Sequence, residues 1–145
     1  MDHTPGQMQW KDIETLRVLT MGRNPMSDVD FDNYRQNRLK IKAKYGAVHE
    51  NYVVSAASGL GAVLASHDDT TKKHVETAAQ YGVKIAEFPT TFEASQNCCL
   101  NNIVIMMGAT NVVHGSSHVG NVSAIEMAKK IFLIYYRLII FPELF

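Results

Sequence analysis

The run Leu64-Ala65-Ser66-His67-Asp68-Asp69 constrains this chain more than any other stretch. An apolar segment too short for a helix stops abruptly in one imidazole and two carboxylates. Where strands and helices alternate, such a junction marks a strand handing over to a loop, and strand C-terminal ends are where metals and substrates gather. The residues after Asp69 keep the same rhythm. Thr70 or Thr71 can cap a helix whose apolar positions Val75, Ala78 and Ala79 share a face, Gly82 supplies a stop, and a new apolar run spans Val83 to Phe88. Strand, polar end, helix and strand within about 25 residues is the period of a βα unit. The pattern therefore predicts His67 at the C-terminal end of a parallel strand.

The rhythm repeats downstream. Pro89-Thr90-Thr91 leads into a helix over Phe92 to Leu100, then into Ile103-Val104-Ile105-Met106-Met107, apolar at every position as for a strand buried on both faces. Gly108 opens a polar loop, Ala109 to Asn121, and Ser123 with Glu126 reads as a capping box for a helix over Ala124 to Lys130. Upstream, Trp10, Ile13, Leu16 and Thr20 repeat at helical spacing, and Ser27 with Asp30 caps a second helix carrying Phe31, Tyr34 and Ile41. A further helix is expected over His49 to Ser58. Three consecutive βα units with polar strand ends suit part of a TIM barrel or of a doubly wound sheet, and a full barrel needs about 250 residues.

Composition narrows the classes. The chain has 145 residues and no formal net charge, so no global basic field attracts nucleic acid. Arg35, Arg38, Lys40, Lys42 and Lys44 form one basic run, which could meet a polyphosphate but reads first as a solvated helix face. Cys98 and Cys99 are adjacent, which disfavours both a spaced zinc pair and a disulfide between them and fits a reducing cytoplasm. The first ten residues lack the charged and apolar regions of a signal peptide. Residues 131–145 are almost wholly apolar but shorter than the about 20 residues of a membrane-spanning helix, so a buried strand or a damaged end is the expectation ahead of a membrane anchor.

Several residues carry candidate chemistry. His3 and His67 each adjoin an aspartate and could bind a divalent metal at strand ends. Asp68 and Asp69 could act as base, ligand or supporting carboxylate, although one of them could instead cap the next helix. The stretch Gly115-Ser116-Ser117-His118-Val119-Gly120-Asn121 is hydroxyl-rich and ends near a helix start, which suits phosphate oxygens, yet it lacks the lysine of a P-loop.

Taken together, His3-Thr4-Pro5-Gly6-Gln7, Leu64 to Asp69, Glu87-Phe88-Pro89-Thr90-Thr91, Met107-Gly108-Ala109 and Gly115 to Ala124 resemble, in order, the signatures of the phosphonate-metabolism diphosphatases of the amidohydrolase superfamily. The resemblance covers roughly residues 1–130. It implies an α/β fold that is part of a TIM-barrel-like metal-dependent hydrolase, with a helical insertion at about 8–58 and an incomplete barrel. It implies cleavage of a small phosphorylated substrate, α-D-ribose 1-methylphosphonate 5-triphosphate, to the 5-phosphate and pyrophosphate. On it, His3 and His67 fall on metal ligands for zinc, manganese or iron. His118 and Asn121, with Ser116 and Ser117 before them, fall on a polar loop expected to face the substrate; from the residues themselves, Asp68 and Asp69 are the candidate catalytic carboxylates and Gly115 a further candidate substrate contact.

The departures are specific. The family's early strand with metal-binding His and Asp has no counterpart here, and residues 131–145 contain no aspartate where the family carries its last metal-site one. His114 and Met8 stand where the family tends to be basic, and Thr110 where it has proline. The expectation is a chain inactive on its own, with open barrel edges inviting self-association. The alternatives are another amidohydrolase reaction, deamination or amide hydrolysis, and a non-catalytic binding or assembly module.

Overall fold

The computed structural model describes residues 13–115, 121–132 and 138–141. The chain divides into two compact units, residues 1–62 and 63–145.

The first unit is helical. Helix α1 spans Ile13–Arg23 and α2 spans Asp28–Leu60. Ser27 closes the start of α2 with the expected capping box: its hydroxyl accepts from the Asp30 amide at 3.2 Å, and its own amide donates to the Asp30 carboxylate at 3.4 Å. Gly61, at φ 63°, ends the helix in the left-handed conformation. The separate helix expected over His49 to Ser58 is instead the last third of α2, which runs through Gly46 without a break. A single interior glycine costs about 1 kcal/mol, too little to interrupt a helix of this length. A Cβ at Gly46 would meet only Lys42 Cγ, at 3.5 Å, so no packing demand explains the glycine. Arg17 pairs with Asp28, and its guanidinium lies 6.0 Å from the ring centre of the buried Phe31. The basic run also lies on aromatic rings: Arg38 stacks over Tyr34 at 5.3 Å and Lys44 over Tyr45 at 4.8 Å.

The second unit is α/β. In order it comprises β1 (Ala65–His67), α3 (Lys72–Gln80), β2 (Ile85–Glu87), α4 (Phe92–Leu100), β3 (Val104–Gly108), α5 (Ala109–His114), α6 (Ala124–Met127), a π-turn (Ala128–Phe132) and β4 (Leu138–Phe141). The strands form one open parallel sheet in the order β1-β2-β3-β4. The order never reverses, as it would at the switch point of a doubly wound sheet.

The core lies on one face of that sheet. Ala86, Ile105 and Met107 pack with Val75 and Ala78 of α3, Ala94, Cys98 and Cys99 of α4, and Ala124 and Met127 of α6. Side chains alternate faces along a strand, so the rows Ala65–Ile85–Val104 and His67–Glu87–Met106 share the other face. Val104 and Met106 are only partly buried. That corrects the expectation of a strand sealed on both sides. A run apolar at every position does not by itself reveal how many layers cover it.

The first two units of the sheet repeat their backbone at a spacing of twenty residues. Thr71 and Thr91 are both N-caps, at φ −123° and −130°. Asp68 and Phe88, one residue past their strands, are both left-handed, at φ 59° and 53°. Gly82 and Asn102 close the two helices at φ 77° and 59°. Thr71 therefore caps α3, and neither aspartate of the preceding pair does. One further element differs from the sequence reading, and the tail forms the strand expected of it. The polar loop expected from Ala109 begins as helix α5, and Asn111 then anchors α6 by accepting from the Ala124 amide at 2.8 Å. The apolar tail contributes β4, whose backbone pairs with β3, Ile105 opposite Leu138 and Gly108 opposite Phe141.

Candidate functional site

The C-terminal edge of the sheet gathers the chemistry. β1 ends in His67, and Glu87 ends β2 directly beside it in register. The chain turns at Asp68, whose amide donates to the Glu87 carbonyl at 2.9 Å, so the turn after β1 is tied to the next strand. The same step recurs at Phe88, whose amide donates to the Met106 carbonyl at 2.9 Å.

The His67 imidazole is partly buried and held on two sides. Its Nδ1 lies 2.8 Å from Oδ2 of the buried Asp68 carboxylate. The ring N–H is not well aligned with that oxygen, so the contact combines a bent hydrogen bond with the attraction of the carboxylate charge. The Phe88 ring meets the imidazole edge-on, with centroids 5.4 Å apart and planes at 64°. The contact with Asp68 raises the His67 pKa, against the lowering effect of burial, and the Glu87 charge adds to the rise. A proton on Nδ1 next to Asp68 leaves Nε2 as the nitrogen free to meet a ligand.

Asp69 is arranged differently from Asp68. It is buried, it accepts a hydrogen bond from the Ser66 hydroxyl, and burial pushes its pKa up. Its carbonyl accepts from the Thr90 amide at 2.8 Å. Asp68 is thus the carboxylate at the imidazole, while Asp69 ties the first strand end to the second. Hydroxyls extend that tie. Thr90 donates to Thr70 at 2.8 Å, Thr70 donates to the Asp68 carbonyl at 3.1 Å, and Thr91 donates to the Thr70 carbonyl at 2.6 Å. His74 Nδ1 accepts from the Thr70 amide at 3.2 Å, which makes that nitrogen the unprotonated one.

Asn121 approaches the same edge, because the next residue, Val122, donates its amide to the Thr90 carbonyl at 3.0 Å. Gly115 ends α5 in the left-handed conformation at φ 71°. Ser116, Ser117 and His118 lie outside the described residues, as does His3. The structure thus brings together His67, Asp68 and Asp69, and directs the chain at Asn121 toward them. Sequence reasoning missed Glu87 and Phe88 as neighbours of the imidazole. The signal that could have found them is the Thr-Thr pair repeated twenty residues apart, which aligns His67 with Glu87 and Asp68 with Phe88.

As a metal centre the described residues fall short. Among them no three His, Cys, Asp or Glu side chains converge. They offer one imidazole backed by one carboxylate, and no reaction step through a metal is derived from them. Among the described residues no helix is long and apolar enough to cross a membrane.

Fold and site together define a parallel α/β chain with a histidine–aspartate pair at the carboxyl end of a strand. Its sequence is similar to that of the alpha-D-ribose 1-methylphosphonate 5-triphosphate diphosphatase of Escherichia coli (strain K12), with 38% identity over 129 residues. That match takes in 89% of this chain and 34% of the relative, so the chain spans about a third of the relative's length. A match of 129 in 145 residues necessarily includes residues 17–129, and hence every strand end described above except that of β4. The resemblance carried by the separate motifs is therefore a resemblance of the sequence as a whole. No family model matches the chain, and no solved structure matches it.

Proposed function

We propose that this chain is part of a metal-dependent hydrolase of phosphorus anhydrides. The substrate class is the one that names its relative: a ribose 1-methylphosphonate 5-triphosphate, cleaved to the 5-phosphate and pyrophosphate. The observation that carries this reading is the 38% identity across 89% of the chain, which contains the strand end bearing His67. The unreversed strand order and the helices on one face support reading residues 1–130 as an arc of a (β/α)8 barrel, interrupted by helices at about 8–58, with 131–145 as a departing tail.

In this reading His67, through Nε2, and His3 are ligands of a zinc, manganese or iron ion. Asp68 holds the proton at His67 Nδ1, and Asp69 supports the strand end through Ser66. Gly115, Ser116, Ser117, His118 and Asn121 contact the phosphoryl oxygens. The chain alone is expected to show little or no turnover. Among the described residues β1 is an edge strand, and such an edge is where copies could associate.

The test is elemental analysis of the size-fractionated chain beside its His67→Ala variant, followed by a pyrophosphate-release assay. Near-stoichiometric metal that is lost in the variant supports the reading. Metal in neither protein refutes His67 as a ligand in this chain and leaves the binding or assembly module standing.

A further inference from the structure

The twenty-residue repeat places two strained residues around one imidazole. Asp68 and Phe88 occupy the same position in successive βα units, each immediately after its strand and each left-handed. Aspartate tolerates that conformation, but a bulky aromatic residue there is an outlier that the surrounding structure must enforce. A turn that needed only the backbone geometry would be better served by glycine, as at Gly82. Phe88 is not explained by the core either, because the core cluster on the helical face does not include it. What the side chain does reach is the ring of His67, edge-on at 5.4 Å.

We propose that Phe88 is a positioning residue for His67. The left-handed turn directs its ring against one side of the imidazole while Asp68, from the equivalent turn, holds Nδ1 on the other. The two turns together fix the ring's rotamer and tautomer and leave Nε2 presented at the strand end. Neither Asp68 nor Phe88 could serve alone. A carboxylate beside Nδ1 without good alignment selects the protonated nitrogen only while the ring plane keeps Nδ1 turned toward it, and the aromatic edge is what holds that plane. That Nε2 is presented to a metal rests on the proposed function; that Phe88 holds the ring does not.

The experiment is heteronuclear NMR of the full chain with labelled histidine, at one alkaline pH where the imidazole is neutral, on the wild type and on Phe88→Gly, Phe88→Leu and Phe88→Tyr. The wild type should show cross-peaks between the His67 and Phe88 rings and ring nitrogen shifts of a single tautomer protonated at Nδ1. Phe88→Gly relieves the backbone, so its melting temperature should hold or rise. Its His67 should nonetheless lose the fixed tautomer and move toward the Nε2-protonated form that free histidine prefers. Phe88→Leu should lose the tautomer too, and Phe88→Tyr should restore it. A single Nδ1-protonated tautomer in Phe88→Gly would overturn the proposal, and so would absence of ring cross-peaks in the wild type. Metal content measured on the same samples reports separately on the ligand role. A fixed ring without metal would sink the metal reading and leave the positioning role intact.

Discussion

Thr71 and Thr91 stand at the same place in successive repeats and both cap a nine-residue helix, yet replacing them by alanine should carry different costs. The Thr71 hydroxyl accepts from the His74 amide at 3.2 Å, and the residue is exposed. Its loss removes an N-cap, about 1 kcal/mol. The Thr91 hydroxyl accepts equivalently from the Ala94 amide at 3.1 Å and also donates to the Thr70 carbonyl at 2.6 Å, across from one unit to the other. Thr91→Ala therefore loses a cap and a partly buried hydrogen bond of about 1 kcal/mol, for a total near 2 kcal/mol. The extra 1 kcal/mol corresponds to about a five-fold higher population of the open state. Native-state hydrogen exchange at the strand amides of residues 85–87 and 104–106 reads that ratio for the α/β unit directly, whatever the helical unit does. Thr91→Ser should restore most of the protection. Equal effects of Thr71→Ala and Thr91→Ala, or a larger effect of Thr71→Ala, would show that the contact between the units adds no stability.

Buried and strained positions give two more predictions. Cys98 is fully buried, and burial, with the Asp69 charge adding to it, pushes its thiol pKa up to about 12. Iodoacetamide at neutral pH should leave it unmodified until the protein is unfolded. Between its ordinary value of 9.0 and about 12 the folded thiol keeps a proton that the unfolded one has lost. This contribution to stability is therefore complete below pH 9 and declines above it by about 1.4 kcal/mol per pH unit. Alkaline urea titrations should show that slope reduced in Cys98→Ala, and an unchanged slope would refute the assignment. At Gly82, φ 77°, alanine should cost about 1 kcal/mol, whereas Gly82→Asn should cost less, because Asn102 already fills the equivalent position at φ 59°. Comparing the melting temperatures of the two variants decides it.

The βα rhythm was legible because its punctuation is local. Thr71, Gly82, Thr91 and Ser123 act on backbone groups within a few residues of themselves, so residue type and spacing suffice. The placement of His67 at a strand end came from the same source. The helix over His49 to Ser58 was read apart from the one that Ser27 caps, although no residue between them costs enough to end a helix of that length. Ala109 to His114 misled because a helix of six residues carries too few turns for periodicity to show. Phe88 stayed hidden for a different reason. Its role depends on a positive φ and on the register of β1 against β2, and neither is written in the identity of a phenylalanine before a proline.

The distribution of residues along the strands bears on what the sheet is for. On the face away from the core, the row entered first is Ala65, Ile85 and Val104, and the row at the carboxyl ends is His67, Glu87 and Met106. Apolar side chains thus fill the first row, and the ionisable ones appear where β1 and β2 end. A sheet that merely turned this face to water would gain nothing from Ile85 and Val104 in the first row, and a sheet sealed under a second apolar layer would have to desolvate His67 and Glu87. The face lies between these limits, with Ala65 exposed and Ile85, Val104, His67, Glu87 and Met106 all partly buried. The polar character of the carboxyl edge thus rests on side-chain chemistry as well as on sequence similarity, and it suits the ligand-binding edge of a parallel α/β sheet.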